Sequence, residues 1–141
     1  MPFPAAPASE ERHSSRAVAQ RPDDCVIRTV AMPADTNPNG DIFGGWLMAQ
    51  MDIGGGTVAM RHAGGRCVTV AVDGMSFLRP VAVGDEVSIY ATLEGRGRTS
   101  MSFLIEAWRR SRTEQVEHKV TEARFKFVAI DGEGRPRLLP D

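Results

Sequence analysis

The spacing of apolar residues along this chain changes period once. Over residues 43 to about 62, apolar and small residues recur at steps of three and four, which predicts a helix. Gly45, Met48, Ala49, Asp52, Gly55, Gly56 and Ala59 fall on one face of it. Trp46, Leu47, Gln50, Ile53 and Met60 occupy the rest, so the helix is apolar nearly all round and should be buried on most sides. Beyond it the period becomes two. Val68, Val70 and Val72 alternate within residues 66–77, and Val87, Ile89, Ala91 and Leu93 within 86–94. Met101, Phe103, Ile105 and Ala107 do so within 99–108. In residues 117–130, Ala123, Phe125, Phe127 and Ala129 face one way, with Arg124 and Lys126 opposite. A further short strand at about 25–32 precedes the helix, where Val26, Thr29 and Val30 are strand formers.

Turn chemistry separates these segments. Residues 33–40 collect Pro, Asp, Asn and Gly into a loop, Gly64-Gly65 stops the helix, and Gly95-Arg96-Gly97-Arg98 reads as a hairpin turn. Five strands and one buried helix give an α+β fold, an antiparallel sheet curled around a single helix in the "hotdog" arrangement. Such a half-covered sheet with free edges favours a homodimer. Gly54-Gly55-Gly56 is a costly run inside a helix, about 1 kcal/mol per residue against alanine, so something must approach that backbone closely.

Composition narrows the function classes. The chain has 141 residues, 42% of them hydrophobic, 25% charged, with a net charge of −1. One domain at residues 25–141 is expected, after an aperiodic arm at 1–24 rich in Pro, Ala, Ser and charge. The charge balance gives no reason to expect nucleic acid, and Arg109, Arg110 and Arg112 read as a solvated rim at a strand end. Cys25 and Cys67 lack metal or redox spacing and read as reduced packing residues, while His13, His62 and His118 are too scattered for a metal set. No run of about 20 apolar residues is present to cross a bilayer, and the Met-Pro-Phe-Pro start lacks the features of a signal peptide. A cytoplasmic protein without metal or cofactor is expected.

The chemistry gathers at Asn37-Pro38-Asn39-Gly40-Asp41-Ile42-Phe43-Gly44-Gly45-Trp46, a polar turn feeding a helix start. Unpaired N–H groups and the partial positive charge there suit a polarised carbonyl or an oxyanion, which gives Gly45 an oxyanion role with Gly44 beside it. Asp52, seven residues after Gly45 on the same face, is a carboxylate among apolar neighbours, placed to act as base or nucleophile. Seven residues span about 10 Å of helix, so one carbonyl compound can meet both groups only if the pair crosses subunits. Asp41 is the rival carboxylate, and its simpler reading is a cap or turn residue. Asn37 is either the acceptor of an Asx turn or a group that orients water or substrate. Arg79 and Arg98 are candidates for phosphate contacts, with hydroxyls from Thr99 and Ser100, although ordinary surface and strand roles serve equally well. Trp46 and Trp108 read as core or interface anchors.

These residues stand in a familiar order. The stretch from Met32-Pro33-Ala34-Asp35-Thr36-Asn37 to Gly44-Gly45-Trp46-Leu47-Met48-Ala49-Gln50-Met51-Asp52 resembles bacterial acyl-CoA thioesterases of the YciA type. The likeness continues through Val68-Thr69-Val70, Gly74-Met75-Ser76-Phe77-Leu78-Arg79-Pro80-Val81, Val83-Gly84-Asp85, Glu106-Ala107-Trp108, Thr121-Glu122-Ala123 and Phe127-Val128-Ala129-Ile130-Asp131. It spans about residues 25–140. The resemblance implies a hotdog fold and hydrolysis of acyl-CoA to CoA and a carboxylic acid without metal. It also implies sites at a dimer interface, often within hexamers of three dimers, Asp52 as the catalytic carboxylate and Asn37 as the turn asparagine. Two rivals remain at this level, a non-catalytic CoA- or acyl-binding module and a hotdog dehydratase. The second is disfavoured because residues 37–52 contain no histidine.

Overall fold

The computed structural model describes residues 25–141, and the arm expected over 1–24 lies outside the described residues. Five strands, β1 (Cys25–Val30), β2 (Cys67–Phe77), β3 (Glu86–Arg96), β4 (Ser100–Arg110) and β5 (His118–Ala129), form one sheet in the order β1-β3-β4-β5-β2. Every pairing is antiparallel. The helix α1 (Gly44–Ala63) lies across one face of the sheet and touches all five strands. It ends as expected, where Gly64 turns left-handed at φ 68° and returns its N–H to the Met60 carbonyl.

The period-two segments of β3, β4 and β5 place their side chains as read, whereas in β2 a register shift between Thr69 and Ala71 leaves Val68 on the far face and turns Val72 to the helix face, opposite Phe125. Met101, Phe103, Ile105 and Ala107 of β4 and Ala123, Phe125, Phe127 and Ala129 of β5 are buried beneath the helix, whereas Arg124 and Lys126 are exposed on the opposite face. Phe103 and Phe127 meet edge to face at 5.9 Å. Strand ends shift by one or two residues. β1 stops at Val30 because the Ala31 N–H goes to the Asp85 carbonyl and the Met32 N–H to the Asp35 carboxylate. The β3–β4 turn is tighter than the four-residue stretch predicted, with the Gly97 N–H closing on the Ser100 carbonyl at 2.8 Å.

The helix corrects one expectation. Its core face carries Leu47, Met51, Gly54, Gly55, Ala59 and Ala63, not the stripe through Gly45, Met48 and Asp52. A helix apolar nearly all round has a clear pitch but no clear phase, and Leu47 and Met51 took the sheet while Met48 and Met60 stayed exposed. Burial on most sides is not reached either, since Ile53 and Met60 stay exposed in the single protomer. The glycine run has the predicted cause at two of its three positions. A Cβ on Gly55 would sit 2.2 Å from Ile105 Cδ1 and one on Gly54 would sit 3.2 Å from Ile89 Cγ2, while Gly56 has nothing nearer than 3.8 Å.

On the other side of the sheet Trp108 and Tyr90 are buried, crossing edge to face at 6.4 Å. The Trp108 Nε1–H donates to Glu106 at 3.0 Å, and the Tyr90 hydroxyl donates to Glu117 Oε2 at 2.9 Å. Burial, and then the bond to Glu117, push the Tyr90 pKa up to about 12.

Candidate active site

The loop before α1 is shaped by Asn37. Its Oδ1 accepts from the N–H groups of Asn39 (2.9 Å) and Asp41 (3.1 Å), and its own N–H donates to the Asp41 carbonyl at 2.7 Å. This is an Asx turn, with Gly40 supplying the positive φ of 86° that it needs. Asn37 therefore has the structural role foreseen for it, and that role uses only the amide oxygen. The loop is tied down by Ile42 N–H to the Val81 carbonyl and Phe43 N–H to the Asp35 carbonyl, which aims the chain into the helix.

Phe43 is the N-cap residue and no side chain caps the helix. The cap reading of Asp41 is thus corrected. Its main chain is spent on the turn three residues earlier, and it remains an exposed turn carboxylate. Trp46 and Leu47 make the first helical bonds, back to the Phe43 carbonyl at 3.1 and 3.3 Å. The N–H groups of Gly44 and Gly45 precede that ladder, so the positive end of the helix is left available for an acceptor. A Cβ on Gly45 would meet nothing within 4 Å, whereas one on Gly44 would lie 3.0 Å from Phe77 Cζ.

About two turns along, Asp52 is held from β2. Thr69 Oγ1–H donates to Asp52 Oδ1 at 2.6 Å, a charge-assisted bond that orients the carboxylate. Thr69 is not among the candidates that the sequence singled out. Its signal was weak, one hydroxyl between Val68 and Val70, and nothing in the sequence says which strand runs beside Asp52. Together they line a hollow of about 360 Å³ between α1 and β2, with Gly45 also on its wall. Met48, Val72 and Phe125 make its apolar sides. Within one protomer an uncapped helix start and an oriented carboxylate thus open on the same apolar hollow, about 10 Å apart along the helix.

The remaining candidates do not join them within one protomer. Arg79 donates from Nη1 to the Lys119 carbonyl at 3.0 Å, at the start of β5. It is not among the residues that line the hollow. Arg98 and Thr99 sit in the β3–β4 turn, where their carbonyls accept from Leu139 and Ala129. Ser100 lies on the sheet face turned away from the helix, with Ser102 and Leu104. Among the described residues no group of His, Cys, Asp and Glu is placed to hold a metal ion, and no described helix is long and apolar enough to cross a membrane.

Residues 39–116 match the thioesterase superfamily. The acyl-CoA thioester hydrolase YciA of Escherichia coli K12 is 60% identical over 120 residues, covering 83% of this chain and 91% of its own. The hexameric thioesterase of Yersinia pestis superposes with a TM-score of 0.80 at 56% identity, over 83% of this chain and 95% of that one. The acyl-CoA hydrolase of Staphylococcus aureus, solved with butyryl coenzyme A and coenzyme A, gives 0.75 at 32% identity, over 81% of this chain and 70% of that one. It has also been solved with an asparagine and, fifteen residues further on, an aspartate each replaced by alanine.

The fold and the cleft together define a hotdog thioesterase. Within that class the chain belongs to the acyl-CoA thioester hydrolases of the YciA type.

Proposed function

We propose that this acyl-CoA thioester hydrolase works at sites shared between two copies, each using the Gly45 N–H of one subunit and Asp52 of the partner subunit. The observation that carries this is the separation of the two groups. Within one chain they stand about 10 Å apart along the helix, more than a single carbonyl and its attacking water can bridge. The exposed edge of β2 beside them suits antiparallel pairing with a second copy. The Yersinia pestis relative is hexameric, and three such dimers are the assembly proposed here.

In this reading the thioester oxygen accepts from Gly45 N–H, where the missing side chain leaves open space. Asp52, fixed by Thr69, takes a proton from water as the water oxygen attacks the carbonyl carbon. The oxyanion collapses, the C–S bond breaks, and CoA leaves as a thiolate that needs no strong general acid. Direct attack by Asp52 to give an anhydride, later opened by water, uses the same geometry. The Asn37 amide nitrogen, which the Asx turn does not use, is free to donate to water or carbonyl. Asn37 and Asp52 are fifteen residues apart, the separation of the two positions replaced in the Staphylococcus aureus hydrolase. Arg79, Arg98, Thr99 and Ser100 would serve the phosphates of CoA across a subunit boundary, and Asp41 would flank the entrance. No metal or cofactor enters these steps, and two free cysteines suit a reducing cytoplasm.

Thiol release across acyl-CoA substrates from acetyl to palmitoyl tests the reading. Asp52→Asn should lose about 10²–10⁴ in kcat with CoA binding intact. Asn37→Asp, which keeps the turn oxygen and removes the donor, should lose about 10²-fold. Activity surviving Asp52→Asn would move the chemistry to Asp41, and CoA binding without turnover on any substrate would make the chain a binding module. Solvent-oxygen labelling in a single turnover separates base from nucleophile, because label in Asp52 requires the anhydride.

A further inference from the structure

On the flank of α1 away from the hollow at Asp52, a cavity of about 400 Å³ opens between the last turns of the helix, the start of β1 and the second half of β3. It shares no lining residue with that hollow. Arg61 lies nine residues beyond Asp52, about 13 Å further along the helix axis. Val58 lines the cavity together with Arg61 and His62, three and four residues on, so the three share one stripe of the helix. Val26 and Leu93 extend the apolar wall from the sheet, beside Cys25.

The two basic residues are exposed, and among the described residues neither has a hydrogen-bond or ion-pair partner. Nor does the helix end need them. The Met60 carbonyl accepts from the N–H groups of Gly64 and Gly65, and the Ala63 carbonyl accepts from Arg137 Nη2 at 2.9 Å. The His62 ring packs edge to face with Phe103 at 5.8 Å, a contact that uses no hydrogen bond.

Unpaired donors of one sign beside an apolar wall are the complement of a small amphipathic anion. A bare phosphate would meet the donors and gain nothing from Val26, Val58 and Leu93. A neutral aliphatic chain would gain nothing from Arg61. A carboxylate on an aliphatic chain uses both. Acids of that kind are what hydrolysis of an acyl-CoA releases.

We propose that this cavity binds a free medium-chain carboxylate, its head group on Arg61 and His62 and its chain against Val26, Val58 and Leu93. It is a product-binding site separate from the catalytic cleft. It stands on the cavity and its charges, and not on the roles given to Gly45 and Asp52.

The two cysteines give the site its own readout, because both are half-buried free thiols and only Cys25 lines the cavity. Alkylation of each by iodoacetamide is followed by peptide mass spectrometry on the full chain, with and without octanoate. Octanoate should slow Cys25 severalfold and leave Cys67 unchanged, whereas 1-octanol and inorganic phosphate at the same concentration should protect neither. Arg61→Gln should raise the octanoate concentration for half protection about tenfold or more, with His62→Gln in between. Thiol release without octanoate should stay at the wild-type rate in both variants. Calorimetric titration of octanoate into wild type and Arg61→Gln decides the same point should Cys25 resist alkylation. Failure of octanoate to protect Cys25, equal protection of both thiols, or protection by octanol or phosphate would overturn the proposal. So would an Arg61→Gln protein that binds octanoate as wild type does. Loss of basal thiol release in Arg61→Gln would overturn the separation of this site from the catalytic one.

Discussion

β2 and β4 are both eleven residues long and both alternate apolar side chains, yet they meet different fates. β4 lies between β3 and β5, and its Met101, Phe103, Ile105 and Ala107 are lost from solvent. β2 has β5 on one side only, and its Val68, Val70 and Val72 remain 39%, 52% and 38% exposed. Alternation keeps one face in β4, whereas in β2 the register shift between Thr69 and Ala71 breaks it and the protomer leaves all three valines partly open. Where cover is missing, the hollow, Thr69 and Asp52 are found together. Of the two strands compared, the less covered one lies next to that carboxylate.

The widest separation between the two strands should come from a charge on the open edge. Val70→Lys should abolish assembly and lower thiol release about 100-fold while far-UV circular dichroism is retained, because like charges would face each other across a pairing of identical edges. Thr92→Lys, also on a strand but on an exposed position of the sheet, should leave mass and rate unchanged. Sedimentation and kinetics on both decide it, and a Val70→Lys protein that stays assembled and active would break the comparison.

A smaller effect is expected on the covered side. Gly55→Ala places a methyl against Ile105 of β4 and should cost about 1–3 kcal/mol by denaturant unfolding. Gly56→Ala, with room around it, should be neutral or mildly stabilising. Equal effects at the two positions would mean that the helix is not held tightly to the central strands.

The smallest effect lies on the far side of the sheet and appears only in alkali. Tyr90 is the one tyrosine in the chain, so absorbance of the phenolate reports it alone. It should titrate near 12 in the native protein. In denaturant it should fall to about 10. A folded pKa above the unfolded one means that its contribution to stability is complete below pH 10 and is lost as pH rises towards 12. Native titration at 10 would show that the Glu117 contact is not maintained in solution.

Much of this was legible in the chain. Strand faces in β3, β4 and β5 followed from alternation, and the helix stop followed from Gly64. The turn asparagine and the helix carboxylate stood out as polar residues at costly places. Other features depend on the tertiary arrangement. The phase of α1 was obscured by apolar residues on every side, and the cap position fell to Phe43 because the Asx turn had already used Asp41. Thr69 could not be assigned without knowing that β2 crosses to the edge beside β5, a pairing between residues far apart in sequence. Arg79 and Arg98 show the converse difficulty, since phosphate-binding chemistry is carried by many arginines whose placement only the folded chain decides.

The distance between Gly45 and Asp52 has a genetic signature. If each site draws its two groups from different chains, an allele lacking the carboxylate and an allele blocked at the helix start are defective in different halves of the same site. A mixed pair then holds one intact site and one doubly broken one. Random pairing of equal amounts would restore about a quarter of the wild-type sites from two proteins that are each inactive alone. Two such mutations in one gene would complement as though they lay in two.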